Sequence, residues 1–390
     1  MCVLSQYYSS FFLIRVYCFC LDIIYSVVKL LLREKHYGDA KTYSKILVSN
    51  IAHLGDVLYS LRVVALLKER YPEAKIDFIC GSWSLPLVES CSDISNVYVI
   101  DHWKLNRKNM SIVSKIFISI STWMNTFLAL RGRDYDAGID FYVMYPSMSD
   151  LFYLAGIPKR IGYTSGGGGV LLTNKIYFPN VDKHIIELNA GCVYALGVDI
   201  SNLDYAVANI RKSKQATTIL QCFGVTDNHF YVFHYGSGKT KGEWSPENWI
   251  KLLDCLTDEN VTIFMTGSGR REKNIIDNIV SSTKNRNVIS LCNTLSISDL
   301  FMVISHAELF IGCDSFAGHI AGMYKVKQIS IMHGATKKVM WQPYSNQKCV
   351  VLRADIDCLE CQAPRKCKYN HKCMNIEVEA VLNAIATVER

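Results

Sequence analysis

The sequence predicts an α/β chain of two doubly wound, Rossmann-like domains behind an N-terminal apolar helix. Three observations carry this. Short apolar runs are each followed by a small or polar turn and an amphipathic helix, the pattern begins twice (at Lys45 and near Phe230), and 390 residues at 50% hydrophobic content allow two or three domains with ample core. The same composition excludes a disordered or collagenous chain. A net charge of +7 is mild and diffuse, so it suits an acidic substrate or a membrane surface and argues against nucleic acid. The fifteen cysteines are spread along the chain and read mostly as reduced core thiols.

Taken in order, Phe11 to Leu32 is almost continuously apolar. Its charges Arg15, Asp22 and Lys29 stand seven residues apart and share one helical face with Ser26. A narrow polar stripe on so apolar a helix fits in-plane membrane attachment best, with a core-packed helix or a spanning anchor as alternatives, and residues 1–40 are assigned to it. No small-residue cleavage site follows, so a removable signal peptide is not expected.

Lys45–Asn50 reads as a buried strand, 51–55 as its loop and Asp56–Arg70 as a helix with Val57, Leu58, Leu61, Val64 and Leu67 inward. Strands follow at Ile76–Cys80, Val97–Ile100 and Ala137–Phe141. The second series runs from strand Tyr231–His234 through a loop to a helix capped by Ser245 with Pro246 at its first position. Strands Val261–Thr266, Val288–Leu291, Leu309–Cys313 and Gln328–Met332 alternate with helices around Glu272–Ser282, Ser298–Ser305 and Ser315–Tyr324. The seam is expected near 222–228. This gives domains 41–224 and 225–375 and a final helix in 376–390. Ligands of such sheets sit beyond the carboxyl ends of the strands, and two of them facing each other make a central cleft.

Four motifs lie at those strand ends. In His53-Leu54-Gly55-Asp56 the carboxylate stands at a helix start, either as a capping group or as a general base. Tyr235-Gly236-Ser237-Gly238 with Lys239 and Lys241 offers backbone N–H groups, a hydroxyl and cations to a phosphate, without Walker A spacing. Gly267-Ser268-Gly269 with Glu272 lacks the third glycine of a dinucleotide fingerprint, and its carboxylate suits ribose hydroxyls instead. Asp314 and Ser315 with His319 either cap their helix or hold sugar hydroxyls and pyrophosphate oxygens. The Gly166–Gly169 run reads as a mobile loop at the cleft edge.

In sequence order, KILVSNIAHLGDVLYSLRVVALLKERYPEAKIDFI, RDYDAGID, IPKRIGYTS, FHYGSGKTKGEWSPENW, IFMTGSGRREKN and LFIGCDSFAGHIAG resemble glycosyltransferase family 9, the ADP-heptose:lipopolysaccharide heptosyltransferases, from Lys45 to the C-terminus. The resemblance implies a GT-B fold, inverting transfer without a metal or other cofactor, and an enzyme that is cytoplasmic and peripheral on the inner face of the inner membrane. It makes the first domain acceptor-binding and the second nucleotide-sugar-binding. The implied partners are a nucleotide-sugar donor, foremost ADP-heptose, a lipid-linked glycan acceptor and the inner-leaflet surface, with no nucleic acid. Carried onto this chain, the base falls on Asp56, and donor contacts fall on Gly236, Ser237, Lys239 or Lys241, Glu272, Asp314, Ser315 and His319. A transferase or epimerase for another nucleotide sugar, or a non-catalytic nucleotide-binding assembly protein, are the alternatives.

The chain departs from the family pattern at two places. The lysine usually two residues before the tryptophan is Gly242, with Lys241 one residue earlier, and the glycine usual after Asp-Ser is Phe316. Lys104, Arg107, Lys108 and Lys115 are candidate contacts for acceptor phosphates or a solvated basic face. Cys358, Cys361, Cys367 and Cys373 are a candidate zinc or disulfide group or a reduced loop, the wide second pair being atypical of zinc.

Overall fold

The computed structural model describes residues 7, 12–31, 42–179, 182–223, 229–238, 240–256, 258, 260–344, 347–361 and 367–389. Lys239 and most of the expected 222–228 seam lie outside the described residues. By contacts the chain forms two compact units, Met1–Asn209 and Ile210–Arg390. The expected 224/225 boundary lies beyond the helix Lys214–Cys222, which packs on Ile297–His306 of the second unit.

The first unit contains α1 (Phe12–Leu31), β1 (Lys45–Ser49), α2 (Leu54–Arg70), β2 (Lys75–Cys80), α3 (Leu85–Ser90), β3 (Ile94–Val99), α4 (Ile112–Leu130), β4 (Ala137–Asp140), α5 (Ser149–Leu154), β5 (Lys159–Tyr163), β6 (Asn174–Ile176) and α6 (Ile185–Tyr194). Its strands form one parallel sheet in the order β3-β2-β1-β4-β5-β6. Ile46, Leu47 and Val48 have no exposure because helices cover both faces of β1. Strand order reverses at β1, whose neighbours are β2 and β4, so the turn after β1 occupies a topological switch point.

The second unit contains α7 (Lys214–Cys222), β7 (Phe230–His234), α8 (Pro246–Cys255), β8 (Thr262–Thr266), α9 (Gly269–Ser282), β9 (Val288–Ser290), α10 (Ile297–His306), β10 (Leu309–Cys313), α11 (Phe316–Met323), β11 (Lys327–Ile331), α12 (Lys338–Trp341), β12 (Cys349–Leu352) and α13 (Val378–Glu389). It repeats the topology as β12-β11-β10-β7-β8-β9, all parallel, with the switch at β7. The three motif turns of this half therefore follow three adjacent strands, β10, β7 and β8. The final helix is part of this unit: Val381, Ala384 and Ile385 pack in one core with Trp244, Trp249 and Ile329.

Two elements differ from expectation. The glycine run is a buried packing surface rather than a mobile loop. It folds as two tight turns, Thr164–Gly166 and Gly169–Leu171, with Gly167 and Gly168 at φ +81° and +73°. A Cβ on Gly167 would lie 3.2 Å from Cys18 Cβ, so α1 rests directly on it. The polar stripe of α1, in turn, faces protein. Tyr7 donates to Asp22 at 2.7 Å, Lys29 Nζ donates to the Val170 carbonyl at 3.3 Å, and Tyr25 donates to Asp150 at 3.3 Å. Leu13, Ile24, Val27, Leu30 and Leu31 point to solvent.

Candidate active site

In the first unit the chain leaves β1 through a loop fixed by side chains on either flank. Asn50 is fully buried. It donates to Ser60 Oγ at 2.8 Å and accepts from the Ala52 N–H at 3.0 Å. Trp83 donates its indole N–H to the Ala52 carbonyl at 2.5 Å and stands 5.9 Å from the His53 ring. The chain then enters α2 with His53 at the N-cap and Asp56 at the third helical position, closing a capping box in which the His53 N–H donates to Asp56 Oδ2 at 3.3 Å.

A capping contact and a raised carboxyl pKa coexist in Asp56. Burial pushes its carboxyl up to about 6, against partial offsets from the His53 and Asp56 N–H groups and from the positive charge of Arg107. A carboxylate with that value is ionised at neutral pH and still basic enough to take a proton. Arg107 and Tyr142 face it electrostatically: burial pulls the Arg107 guanidinium down, with the Asp56 charge partly offsetting it, and burial followed by the Asp56 charge pushes the Tyr142 hydroxyl up.

Asp140, at the end of β4, is the residue that sequence reasoning missed. It accepts from Ser49 Oγ at 2.9 Å and the Met148 N–H at 2.8 Å, tying the ends of β1 and β4 together, and burial pushes its carboxyl up to about 6. It closes the RDYDAGID segment, where only the segment and not its last carboxylate stood out. Asn50, Trp83 and Tyr142 were also missed, and no local pattern marks them.

The basic candidates divide. Arg107 lies by Asp56. Lys104 is turned to Tyr145, donating to its carbonyl at 3.1 Å with Nζ 5.2 Å from the ring, while Lys115 donates to the Asn106 carbonyl at 2.9 Å and Lys108 is exposed.

In the second unit, Gly236 after β7 and Gly267 after β8 both abut Glu272. A Cβ on Gly236 would sit 2.6 Å from Glu272 Oε2, and one on Gly267 would sit 2.9 Å from the same oxygen, which accepts the Ser268 N–H at 2.8 Å. Two neighbouring strand ends thus lack side chains where a carboxylate comes close. Glu243 and Arg271, a second pair that the sequence did not mark, form an ion pair beside them, and Tyr235 donates to Glu243 at 3.3 Å.

The loop between Gly236 and α8 is anchored by Trp244, which is fully buried. Its backbone N–H donates to Cys313 Sγ at 3.3 Å and its indole N–H to the Ile376 carbonyl at 2.8 Å. Ser245 caps α8, accepting the Asn248 N–H at 3.2 Å. Ser237 lies close to Gly242, where an added Cβ would be 3.1 Å from its Oγ, and Lys241 is exposed. After β10, Asp314 continues the sheet bonding to Ile331. Ser315 caps α11 by accepting the Gly318 N–H at 3.4 Å, and His319 is buried one turn in. Phe316 packs its ring 5.8 Å from that of Phe301.

Cys358, Cys361, Cys367 and Cys373 line one small cavity with His333 and His371. All four are free thiols, and among the described residues no three His, Cys, Asp or Glu side chains converge at metal-binding distance. The N–H groups of His371 and Tyr369, with a smaller contribution from Lys241, hold the Cys367 thiol below its ordinary range, and burial raises that of Cys373.

Comparison with known proteins agrees with this layout. The model of glycosyltransferase family 9 (heptosyltransferase) matches residues 123–372. The chain is 26% identical over 302 residues to lipopolysaccharide heptosyltransferase 3 of Escherichia coli K12, covering 75% of this chain and 83% of that protein. Among solved structures, the glycosyl transferase family 9 protein of Veillonella parvula superposes with a TM-score of 0.70 at 18% identity, covering 89% of this chain and 97% of that one. The E. coli heptosyltransferase WaaC with ADP-2-deoxy-2-fluoro heptose superposes at 0.63 and 17% identity, covering 88% and 99%.

Proposed function

The chain belongs to glycosyltransferase family 9 and is a glycosyltransferase, and from that premise we propose that it transfers heptose from ADP-heptose to a lipopolysaccharide core or related envelope glycan, inverting the anomeric configuration. The observation that carries the chemistry is the Asp56 carboxyl, held at about 6 at the switch point of the first sheet. Asp56 lies ahead of the segment matched to the family, so its role rests on this geometry.

In the reaction, ionised Asp56 takes the proton of an acceptor hydroxyl. The oxygen attacks the anomeric carbon, and the bond from that carbon to the diphosphate oxygen breaks with the electron pair leaving on ADP. Arg107 beside Asp56 favours its ionised form and is placed to meet an acceptor phosphate. In the second unit, Glu272 accepts from ribose hydroxyls, and Gly236 and Ser237 leave backbone N–H and hydroxyl donors for the diphosphate. Asp314, Ser315 and the start of α11, together with Lys241, balance the charge that develops on the leaving group. Phe316 bears on the second reading, a different nucleotide sugar, because it adds a ring where the family has a glycine.

The apolar outer face of α1 supports peripheral attachment of a cytoplasmic enzyme to the inner leaflet, where a lipid-linked acceptor resides. Incubating the purified protein with ADP-heptose and a heptose-deficient lipopolysaccharide should release ADP in proportion to product. Turnover of UDP- or GDP-sugars alone would replace the donor assignment, and nucleotide binding without transfer to any acceptor would remove the catalytic one.

A further inference from the structure

Helix α4 has a narrow inner face, on which Leu130 is buried and Trp123 and Phe127 pack against the core. Three of its polar side chains face the protein: Thr126 donates to the Val99 carbonyl at 3.0 Å, Thr122 accepts the Asp101 N–H at 3.1 Å, and Ser119 is buried, while Ser114 and Asn125 are exposed. Most of its other apolar side chains face outward, with Val113 and Phe117 each 73% exposed, Ile120 61% and Leu128 57%. With Met124, 45% exposed, these recur at three- and four-residue spacing and form one stripe along about 23 Å of helix. By length and composition α4 would pass for a membrane span. Its place as the crossover between β3 and β4 and its hydrogen bonds to the end of β3 keep it on the sheet instead.

Two further observations identify what covers this face. The stretch from His102 to Arg133 holds Lys104, Arg107, Lys108, Lys115, Arg131 and Arg133 and no acidic residue, so the stripe is rimmed by positive charge at both ends. In addition, Tyr17, Leu21 and Tyr25 of α1 line the same pocket as Ile116, Ile120 and Trp123 of α4. The two helices are therefore neighbours, and both turn apolar residues outward.

We propose that α4 is a second membrane-inserting element, which with α1 forms one surface seated in the headgroup and upper acyl region of an anionic bilayer. Apolar side chains enter the lipid while the exposed Lys108, Arg131 and Arg133 meet lipid phosphates. The proposal extends the attachment proposed for α1, and variants confined to each helix separate the two.

The test is co-sedimentation of the full-length protein with phosphatidylcholine vesicles, with and without phosphatidylglycerol. Wild type should bind the phosphatidylglycerol vesicles more tightly, and salt should weaken the binding. The triple variant Val113→Ser, Phe117→Ser, Ile120→Ser should lose about tenfold or more of its vesicle partition with an unchanged Tm, because three exposed side chains leave the lipid and none leaves the core. Leu13→Ser, Ile24→Ser, Val27→Ser in α1 should do the same. Undiminished partition of the α4 variant overturns the proposal, and loss in the α1 variant alone would then leave only that helix as an anchor. A wild-type dimer in light scattering that the α4 variant turns into a monomer, with partition unchanged, would also overturn it, by making the face a contact between copies.

Discussion

The carboxylate of Glu272 occupies the space that a side chain on Gly236 would need, its Oε2 lying 2.6 Å from the position of an added Cβ. The glycine after β7 and the acid on α9 are thus one device, although thirty-six residues separate them in sequence. Gly236→Ala should displace the carboxylate and weaken ADP binding by roughly tenfold, the worth of one hydrogen bond to a charged group. Glu272→Gln should weaken it similarly without moving the loop. Isothermal titration with ADP measures both, and unchanged affinity in the Gln variant would take Glu272 out of the donor site.

Asp56→Asn keeps the size of the side chain and removes the base. Transfer should fall by about 10²–10⁴-fold while ADP affinity stays as in wild type. The wild-type kcat/KM should drop tenfold per pH unit below about 6, where Asp56 protonates. Stability runs the opposite way. A carboxyl whose folded-state pKa is raised from 3.8 to about 6 favours the folded state below the lower value, and that contribution is lost as pH rises through the upper one. The Asn variant should therefore melt no lower than wild type at pH 7.5, and any gain should vanish near pH 4.

Phe316→Ala separates packing from donor selection. If the ring serves mainly to pack on Phe301, the variant loses about 1–2 kcal/mol of stability, as a partly buried aromatic would, and its donor preference is unchanged. A changed ranking among nucleotide sugars, read by ADP, GDP and UDP release, would instead place the ring at the sugar.

Gly167→Val puts a branched side chain against Cys18 at a backbone angle of +81°. It should lift α1 from its seat and open the Lys29 peptide bond to trypsin, with transfer to a water-soluble acceptor retained. A digestion pattern identical to wild type would mean that α1 is held by its other contacts.

Both sheets were legible because β1 and β7 are short apolar runs that lead into turns with small or polar residues and then a helix, a pattern that a strand covered on both faces produces. Ser245 and Pro246 announced α8 by local chemistry. The orientation of α1 was not legible. Arg15, Asp22 and Lys29 mark a polar face from their spacing, but whether that face meets water or protein depends on carbonyls near Gly168, some 140 residues away. Asp140 escaped for the same reason: its importance comes from Ser49 and Met148, which only the folded sheet brings to it. Asp56 stood out because glycine and a helix start sit beside it, yet its raised pKa is a property of burial, which sequence does not display.

The indole of Trp244 is bound to the carbonyl of Ile376, two residues before the last helix. The turn that follows β7 therefore cannot settle until Ile376, 132 residues after Trp244, has been made. During synthesis the first unit has all its strands by Ile176, whereas the second unit's turn after β7 waits for Ile376. A chain released before Ile376 would thus carry a formed turn at Asp56 while the turn after β7 still lacked its anchor.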